Sequence, residues 1–249
     1  MGHIEFIGPP GAGKSAIHSR LIANDSLYGG TDEDGFQRKF LQDENKIYTL
    51  IYQLTPSRLQ MFVLNKLLTY KIRYNSFEEF VNQHPRFLDI LYDIKNIVRT
   101  ESDVAFHITK QVAEEYQTNI TTQSDNEILV MDEGFGMRAV SILWRTEQRS
   151  FPLEKYIDVV PIPAVLVYVD APVEVCVERQ KKRERITIQK YFTNNDMHKA
   201  QTRYREICEE VTQRFQKQSK IIRVNNISSI ENPAEKVKQE ILQIMRNNE

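Results

Sequence analysis

The sequence predicts a three-layer α/β fold with a parallel sheet of about five strands and a large helical insertion. Three observations carry this expectation. First, a short apolar strand at His3–Ile7 runs into a glycine-rich turn and then into a helix from Lys14. Second, nearly continuous apolar runs at Ile128–Met131 and Ala164–Val169 read as strands buried on both faces, as parallel strands are. Third, residues 37–123 read almost wholly as helix, which is too long for a simple crossover.

The turn Gly8-Pro9-Pro10-Gly11-Ala12-Gly13-Lys14-Ser15 has the spacing G-x-x-x-x-G-K-S of a phosphate-binding loop. Glycines let the backbone curl so that successive N–H groups point at an anion. Pro9 and Pro10 have no N–H, so the binding amides are expected from Gly11, Ala12, Gly13, Lys14, Ser15 and Ala16, with Gly8 opening the turn. Lys14 brings a cation to the β/γ-phosphates and Ser15 a hydroxyl to Mg2+. Ile17 and Leu21, four apart, place a helix behind the loop, so the phosphate meets a helix N-terminus.

The chain continues with Asn24–Phe36, a polar loop in which a fifth strand is expected near Tyr28–Phe36. Within the helical block, Ser57 is placed to cap one helix, and Ser76 a short one with Glu79 completing a capping box. Pro85 opens a third, with Phe87, Leu91, Ile94 and Val98 on its inner face. Ser102 caps a fourth, with Val104, Ile108 and Val112 inward. An insertion at this point lies near the carboxyl ends of the strands, which favours an acceptor-binding role over mere cover for the sheet. Arg58, Arg86 and Arg99 are the candidate anchors there.

Ile128–Met131 ends in Asp132-Glu133, the arrangement that presents a carboxylate to Mg2+. Met137, Val140 and Trp144 then face the core of a helix that carries Arg138, placed either to meet a phosphate or to pair with Glu133. Tyr156–Pro163 is a proline-bounded connection, and Ala164–Asp170 the clearest strand. Pro172 starts a helix with Val173, Cys176 and Val177 inside, which runs into Arg179-Gln180-Lys181-Lys182-Arg183-Glu184-Arg185. This run reads as a solvated helix end, a phosphate clamp built on Arg179 and Arg183, or a basic patch weakened by Glu178 and Glu184. Residues 187–218 are helical after a break at Asn194-Asn195, with Tyr204, Ile207, Val211 and Phe215 inward. Lys220–Val224 is a last strand and Ile230–Met245 a terminal helix.

Composition removes several function classes. The 249 residues carry a formal net charge of -1, so no global basic field points to nucleic acid. No apolar run reaches membrane-spanning length, and Phe6 interrupts a myristoylation motif. The first strand begins almost at once, leaving no room for a leader; with two isolated cysteines, Cys176 and Cys208, a cytoplasmic protein with reduced thiols is expected. The five histidines lack zinc spacing. Oligomeric state is open, a homodimer included.

Together, Gly8–Ser15, the strand ending at Asp132-Glu133, the stretch Val167–Glu174 leading to Arg179 and Arg183, and Val224-Asn225-Asn226 with its helix make the chain resemble the P-loop small-molecule kinases. The nucleoside- and nucleotide-kinase-like members, such as thymidylate kinase, are the most similar. The resemblance covers roughly the first 25 residues and most of 127–249. It implies one kinase-like domain over 1–249, a lid-like segment at 174–195 whose Arg179, Arg183 and Arg185 cover the phosphates, and Asn225 and Asn226 bordering the adenine. These kinases usually place an arginine directly after the acidic residue of the second strand. Here Glu133 and Gly134 follow, and the nearest arginine is Arg138.

The expected reaction is transfer of the ATP γ-phosphoryl group to a small acceptor, a nucleoside monophosphate or nucleoside. Ser15 and Asp132 hold Mg2+, and Lys14, Arg179, Arg183 and Arg138 are candidates to offset charge. Glu133 accepts or orients the acceptor's proton. Two alternatives stand beside it. An NTP hydrolase would use Glu133 to polarise water, and a regulatory module would bind nucleotide without turnover. A GTPase is disfavoured because Asn45-Lys46 and Asn65-Lys66 lack the aspartate that reads guanine.

Overall fold

A computed structural model describes residues 2–23, 27–29, 50, 54–56, 69–97, 102–124, 127–146, 151–182, 196–226 and 231–246. Strands β1 (Ile4–Ile7), β2 (Leu27–Tyr28), β3 (Ile128–Met131), β4 (Val165–Asp170) and β5 (Lys220–Asn225) form one parallel sheet in the order β2-β3-β1-β4-β5. The chain runs outward from β1 to β2, returns to β3, then crosses β1 to β4. The order therefore reverses at β1, and the crevice beyond the carboxyl end of that strand is where such sheets take ligands.

Strand alternation divides the core into two layers. Ile4 and Phe6 of β1, Val165, Val167 and Val169 of β4, and Ile222 and Val224 of β5 bury one face. They pack against α1 (Lys14–Leu21) and α9 (Glu231–Arg246) through Ile17, Leu21, Val237 and Ile241. On the other face, Ile7, Leu129, Met131, Leu166 and Tyr168 meet a thicker layer. It is built from α2 (Thr69–Gln83), α3 (Phe87–Ile97), α4 (Ser102–Thr122), α5 (Phe135–Arg145), α6 (Leu153–Ile157) and α8 (Asp196–Phe215). Between β4 and α8 lies α7 (Val173–Lys181). At the edge of the sheet among the described residues, the α8 side of β5 carries Arg223 beside Ile221, which packs against the core. Arg223 makes a two-pronged pair with Glu209 at 2.7 Å and lies over the Tyr168 ring.

The described part of the helical block joins the core of the sheet. Phe80, Phe87 and Phe135 are fully buried, and Tyr116 closes the same aromatic cluster with centroids 4.9–6.3 Å apart. Several local expectations are corrected. Ser76 does not cap a short helix: α2 runs through it, and its buried hydroxyl accepts from Thr118 at 2.8 Å. A tertiary hydrogen bond to α4 replaces the cap. Val104 is exposed, whereas Val112 is buried as expected and is joined inward by Ala105 and Ala113, so small residues set the close approach of that helix. The connection at 156–163 begins inside a short helix, α6, whose Tyr156 is buried and donates to the Phe135 carbonyl at 2.9 Å. The fifth strand is Leu27–Tyr28, at the start of the expected range. The cap at Ser57, Arg58, Val98, Arg99 and the stretch 187–195 lie outside the described residues.

One charge lies where the β1 pattern calls for an apolar residue. Glu5 is completely buried in the central strand. One carboxylate oxygen pairs with His3 Nε2 at 2.8 Å, and the other accepts the Gly136 N–H at 2.8 Å. Glu5 thus supplies, from another strand, the N-terminal acceptor that α5 lacks locally, since its N-cap residue Gly134 has no side chain to offer. A Cβ at Gly134 would collide with this carboxylate. The turn that carries Asp132 and Glu133 is therefore fixed to the strand that leads into the glycine-rich loop. Replacing Glu5 by Ala leaves two buried donors unpaired, and we expect a loss of about 3 kcal/mol of unfolding free energy. Glu5→Gln, which keeps an acceptor for Gly136, should lose about 1 kcal/mol in the same urea titration.

Both cysteines are buried, in α7 and α8. Burial pushes the Cys176 thiol up and the Cys208 thiol up to about 12. Neither should react with a thiol reagent at pH 8 in the native protein, and both should react fully in denaturant. Labelling followed by mass measurement checks this.

Candidate functional site

The loop after β1 has the conformation that the glycine spacing requires. Gly8, Gly11 and Gly13 all have positive φ, at 153°, 86° and 101°. At each a side chain would also strike a neighbour: the Val169 carbonyl at Gly8, the Cys176 carbonyl at Gly11 and the Asn226 amide at Gly13. Lys14 starts α1, and the first-turn N–H groups of Lys14, Ser15 and Ala16 have no intrahelical acceptor. The helix is held against the sheet by His18, whose ring nitrogen lies 3.0 Å from the Val130 carbonyl of β3.

Every carbonyl oxygen from Gly8 to Gly13 has a donor within the protein. Lys14 Nζ donates to Gly8 at 2.8 Å and reaches Pro9 at 3.4 Å, and the Ala12 N–H donates to Pro9. Gln180 and Gln201 both donate to Pro10, at 3.2 and 2.8 Å. Arg179 Nη1 reaches Gly11 at 3.4 Å and Ala12 at 3.3 Å, while Asn226 Nδ2 donates to Ala12 at 2.7 Å. The Ile17 N–H takes Gly13. The loop's negative dipole ends are thus committed to partners, leaving its remaining N–H groups for an anion.

Apart from Arg183 and Arg185, the residues expected at the site are placed, with one correction: the Ala12 N–H, expected to face the anion, is taken by the Pro9 carbonyl. β3 pairs with β1 through Ile4–Val130 and Glu5–Met131, so Asp132 emerges beside the strand that enters the loop. Asp132 Oδ1 is buried and has no hydrogen-bond partner among the described residues. Glu133 is half-exposed and forms an ion pair at 3.2 Å with Arg138, the second of the two roles open for that arginine. Arg179 is at the loop. Of the two asparagines, Asn225 is exposed, whereas Asn226 is buried against the loop backbone. Its N–H also donates to the Asp170 carbonyl at 2.8 Å, which joins the ends of β4 and β5. Arg183 and Arg185 lie outside the described residues. Arg86 is exposed in the turn before α3.

Sequence reasoning missed Gln180, Gln201 and Glu5. The glutamines sit in runs where polar residues are ordinary, and nothing in their spacing marks burial. Glu5 had a signal: a carboxylate in the middle of an apolar strand. No group of three or more His, Cys, Asp or Glu side chains is placed to hold a metal by itself among the described residues. Among the same residues no helix is long and apolar enough to cross a membrane.

No protein-family model and no curated protein matches this sequence. Solved structures do match in shape. The structure of deoxyadenosine kinase from M. mycoides with bound dCTP superposes with a TM-score of 0.52 at 11% identity, covering 97% of this chain and 99% of that one. The same enzyme with bound dATP gives 0.51 at 13% identity, with the same coverage. At such identity the likeness is one of fold: this chain has the P-loop α/β fold of deoxyadenosine kinase over nearly its whole length.

Proposed function

We propose that this protein is a Mg-ATP-dependent phosphotransferase acting on a nucleoside or a nucleoside monophosphate. The observation that carries the reading is the loop between β1 and α1. Its carbonyls are committed to internal donors, and its free N–H groups, with Lys14 and Arg179 beside them, gather at a helix N-terminus. Such a loop suits a polyphosphate, where backbone donors and two cations offset the charge that moves during transfer.

The residues present fit a magnesium ion. Ser15 is exposed at the start of α1, and Asp132 has a buried oxygen without a hydrogen-bond partner. These two would hold the ion as it arrives with the triphosphate, and it would supply charge neutralisation between the β- and γ-phosphates. In this reading Lys14 exchanges its bonds to the Gly8 and Pro9 carbonyls for phosphate oxygens. Glu133, held by Arg138, orients the acceptor hydroxyl. If the acceptor is itself a phosphate, no strong base is needed and Glu133 matters less. The described part of the helical block, α2–α4, packs through Phe80, Phe87 and Tyr116 against Phe135 of α5, two residues after Glu133, and is the proposed acceptor side. The segment 174–195 is proposed to supply further phosphate contacts from Arg179, Arg183 and Arg185. A nucleoside-type acceptor is supported by the shared fold with a deoxyadenosine kinase, whose structures hold dCTP and dATP.

The deciding experiment measures ADP formation with Mg-ATP and a panel of nucleosides and nucleoside monophosphates. Transfer predicts that one acceptor class raises turnover at least tenfold, with the phosphate recovered on that acceptor. Equal release of free phosphate whatever is added would establish a hydrolase instead, and binding without turnover a regulatory module. Lys14→Ala should lower kcat/KM by about 100-fold or more, through loss of a cation at the transferred group. Arg138→Gln, which frees Glu133 from its ion pair, should act mainly on kcat, by about tenfold, while leaving the ATP dissociation constant near its original value.

A further inference from the structure

The Pro10 carbonyl is served by two side chains from different helices. Gln180, near the end of α7, donates to it at 3.2 Å, and Gln201, in α8, donates at 2.8 Å. The two amides also bond to each other, Gln180 Nε2 to Gln201 Oε1 at 3.0 Å. Both side chains are almost fully buried, at 3% and 1% exposure. Burial of two long polar side chains carries a cost in rotamer entropy and desolvation that a surface position would avoid. The fold pays that cost at the tip of the phosphate-binding loop.

The chemistry of Pro10 dictates which end of each amide faces it. A proline offers a carbonyl and no N–H, so only a donor is welcome there. Each glutamine must therefore turn its NH2 toward Pro10. Gln201 then hands its oxygen to Gln180, and the Gln180 oxygen is left buried without a partner among the described residues. An arrangement that leaves one buried acceptor unsatisfied while placing two donors on one carbonyl favours the loop over the local balance of the amides.

We infer that Gln180 and Gln201 are positioning residues that clasp the Pro10 carbonyl and thereby hold the N–H groups of Gly11, Gly13, Lys14 and Ser15 in their phosphate-binding arrangement. The inference rests on reading the loop as a phosphate site. Pro9 and Pro10 cannot contribute N–H donors, so the peptide after Pro10 is where the binding amides begin. The plane of that peptide is set by where its oxygen points, because the C=O of Pro10 and the N–H of Gly11 belong to one rigid unit. Holding the Pro10 oxygen toward α7 and α8 aims the Gly11 N–H the opposite way. The neighbouring carbonyls are held likewise, Gly11 by the half-buried Arg179 and Ala12 by Arg179 together with the buried Asn226.

The test uses the full chain and two probes, Mg-ATP and inorganic tripolyphosphate, titrated calorimetrically. Gln201→Glu is close in shape but sets a carboxylate oxygen against the Pro10 oxygen. Gln201→Met keeps the volume and simply removes the bond. We expect Gln201→Glu to weaken both probes by about tenfold or more and Gln201→Met by about threefold, with the same factor on each probe because the loop reads only phosphate. Gln180→Glu and Gln180→Met form a second pair with the same expected order, which keeps the test open if one substitution at 201 prevents folding. Unfolding midpoints without ligand identify such a failure. Equal affinity across all variants would overturn the clasp, as would equal losses from the Glu and Met variants, which would mean packing alone. Failure of the unsubstituted chain to bind either probe would overturn the phosphate-site reading and the clasp together.

Discussion

The structure depends on what the peptide oxygens of residues 8–13 do. A loop that is to receive an anion on its N–H side must send its carbonyls elsewhere, and buried carbonyls need donors. Here those donors come from α1 itself, from α7, from α8 and from the residue after β5. The sheet order makes this possible. With β1 in the middle, the helices after β4 and the end of β5 converge on the loop from one side. On the other side, β3 delivers Asp132 and Glu133. Neither group of residues is near the loop in sequence, so the geometry of residues 8–15 is as much a tertiary property as a local one.

Glu5 plays the corresponding part beneath the second strand of the site. It joins β1 to the first turn of α5 and explains Gly134 in a way that turn chemistry does not: the glycine leaves room for a carboxylate arriving from a neighbouring strand. The loop and the acidic turn are thus both anchored through β1, one by its end and one by its middle. A disturbance of that strand is felt on both sides of the candidate site.

The sequence carried the strands well because parallel strands buried on both faces must be apolar, and Val165–Val169 and Ile128–Met131 could hardly be anything else. The loop was legible for a related reason, since its glycines are demanded by positive φ and close backbone approach. Legibility fell where tertiary contacts overrode local signals. Ser76 followed by Glu79 reads as a helix start, yet α2 runs through it and bonds to Thr118. Val104 looked inward by periodicity, yet Ala105 and Ala113 let α4 approach its neighbours. Polar residues recruited into the interior, such as Gln180, Gln201 and Asn226, carry no pattern of their own. Their burial is decided by where distant elements meet.

The polar character of β5 reaches beyond the single chain. An edge strand exposes a row of backbone donors and acceptors, and proteins commonly guard it with charge. Lys220 and Arg223 occupy that strand, and Arg223 is tied by two bonds to Glu209. Two copies meeting edge to edge at β5 would bring Lys220 and Arg223 of each strand close to one seam. Charge on this strand therefore disfavours continuation of the sheet into a second copy at this edge.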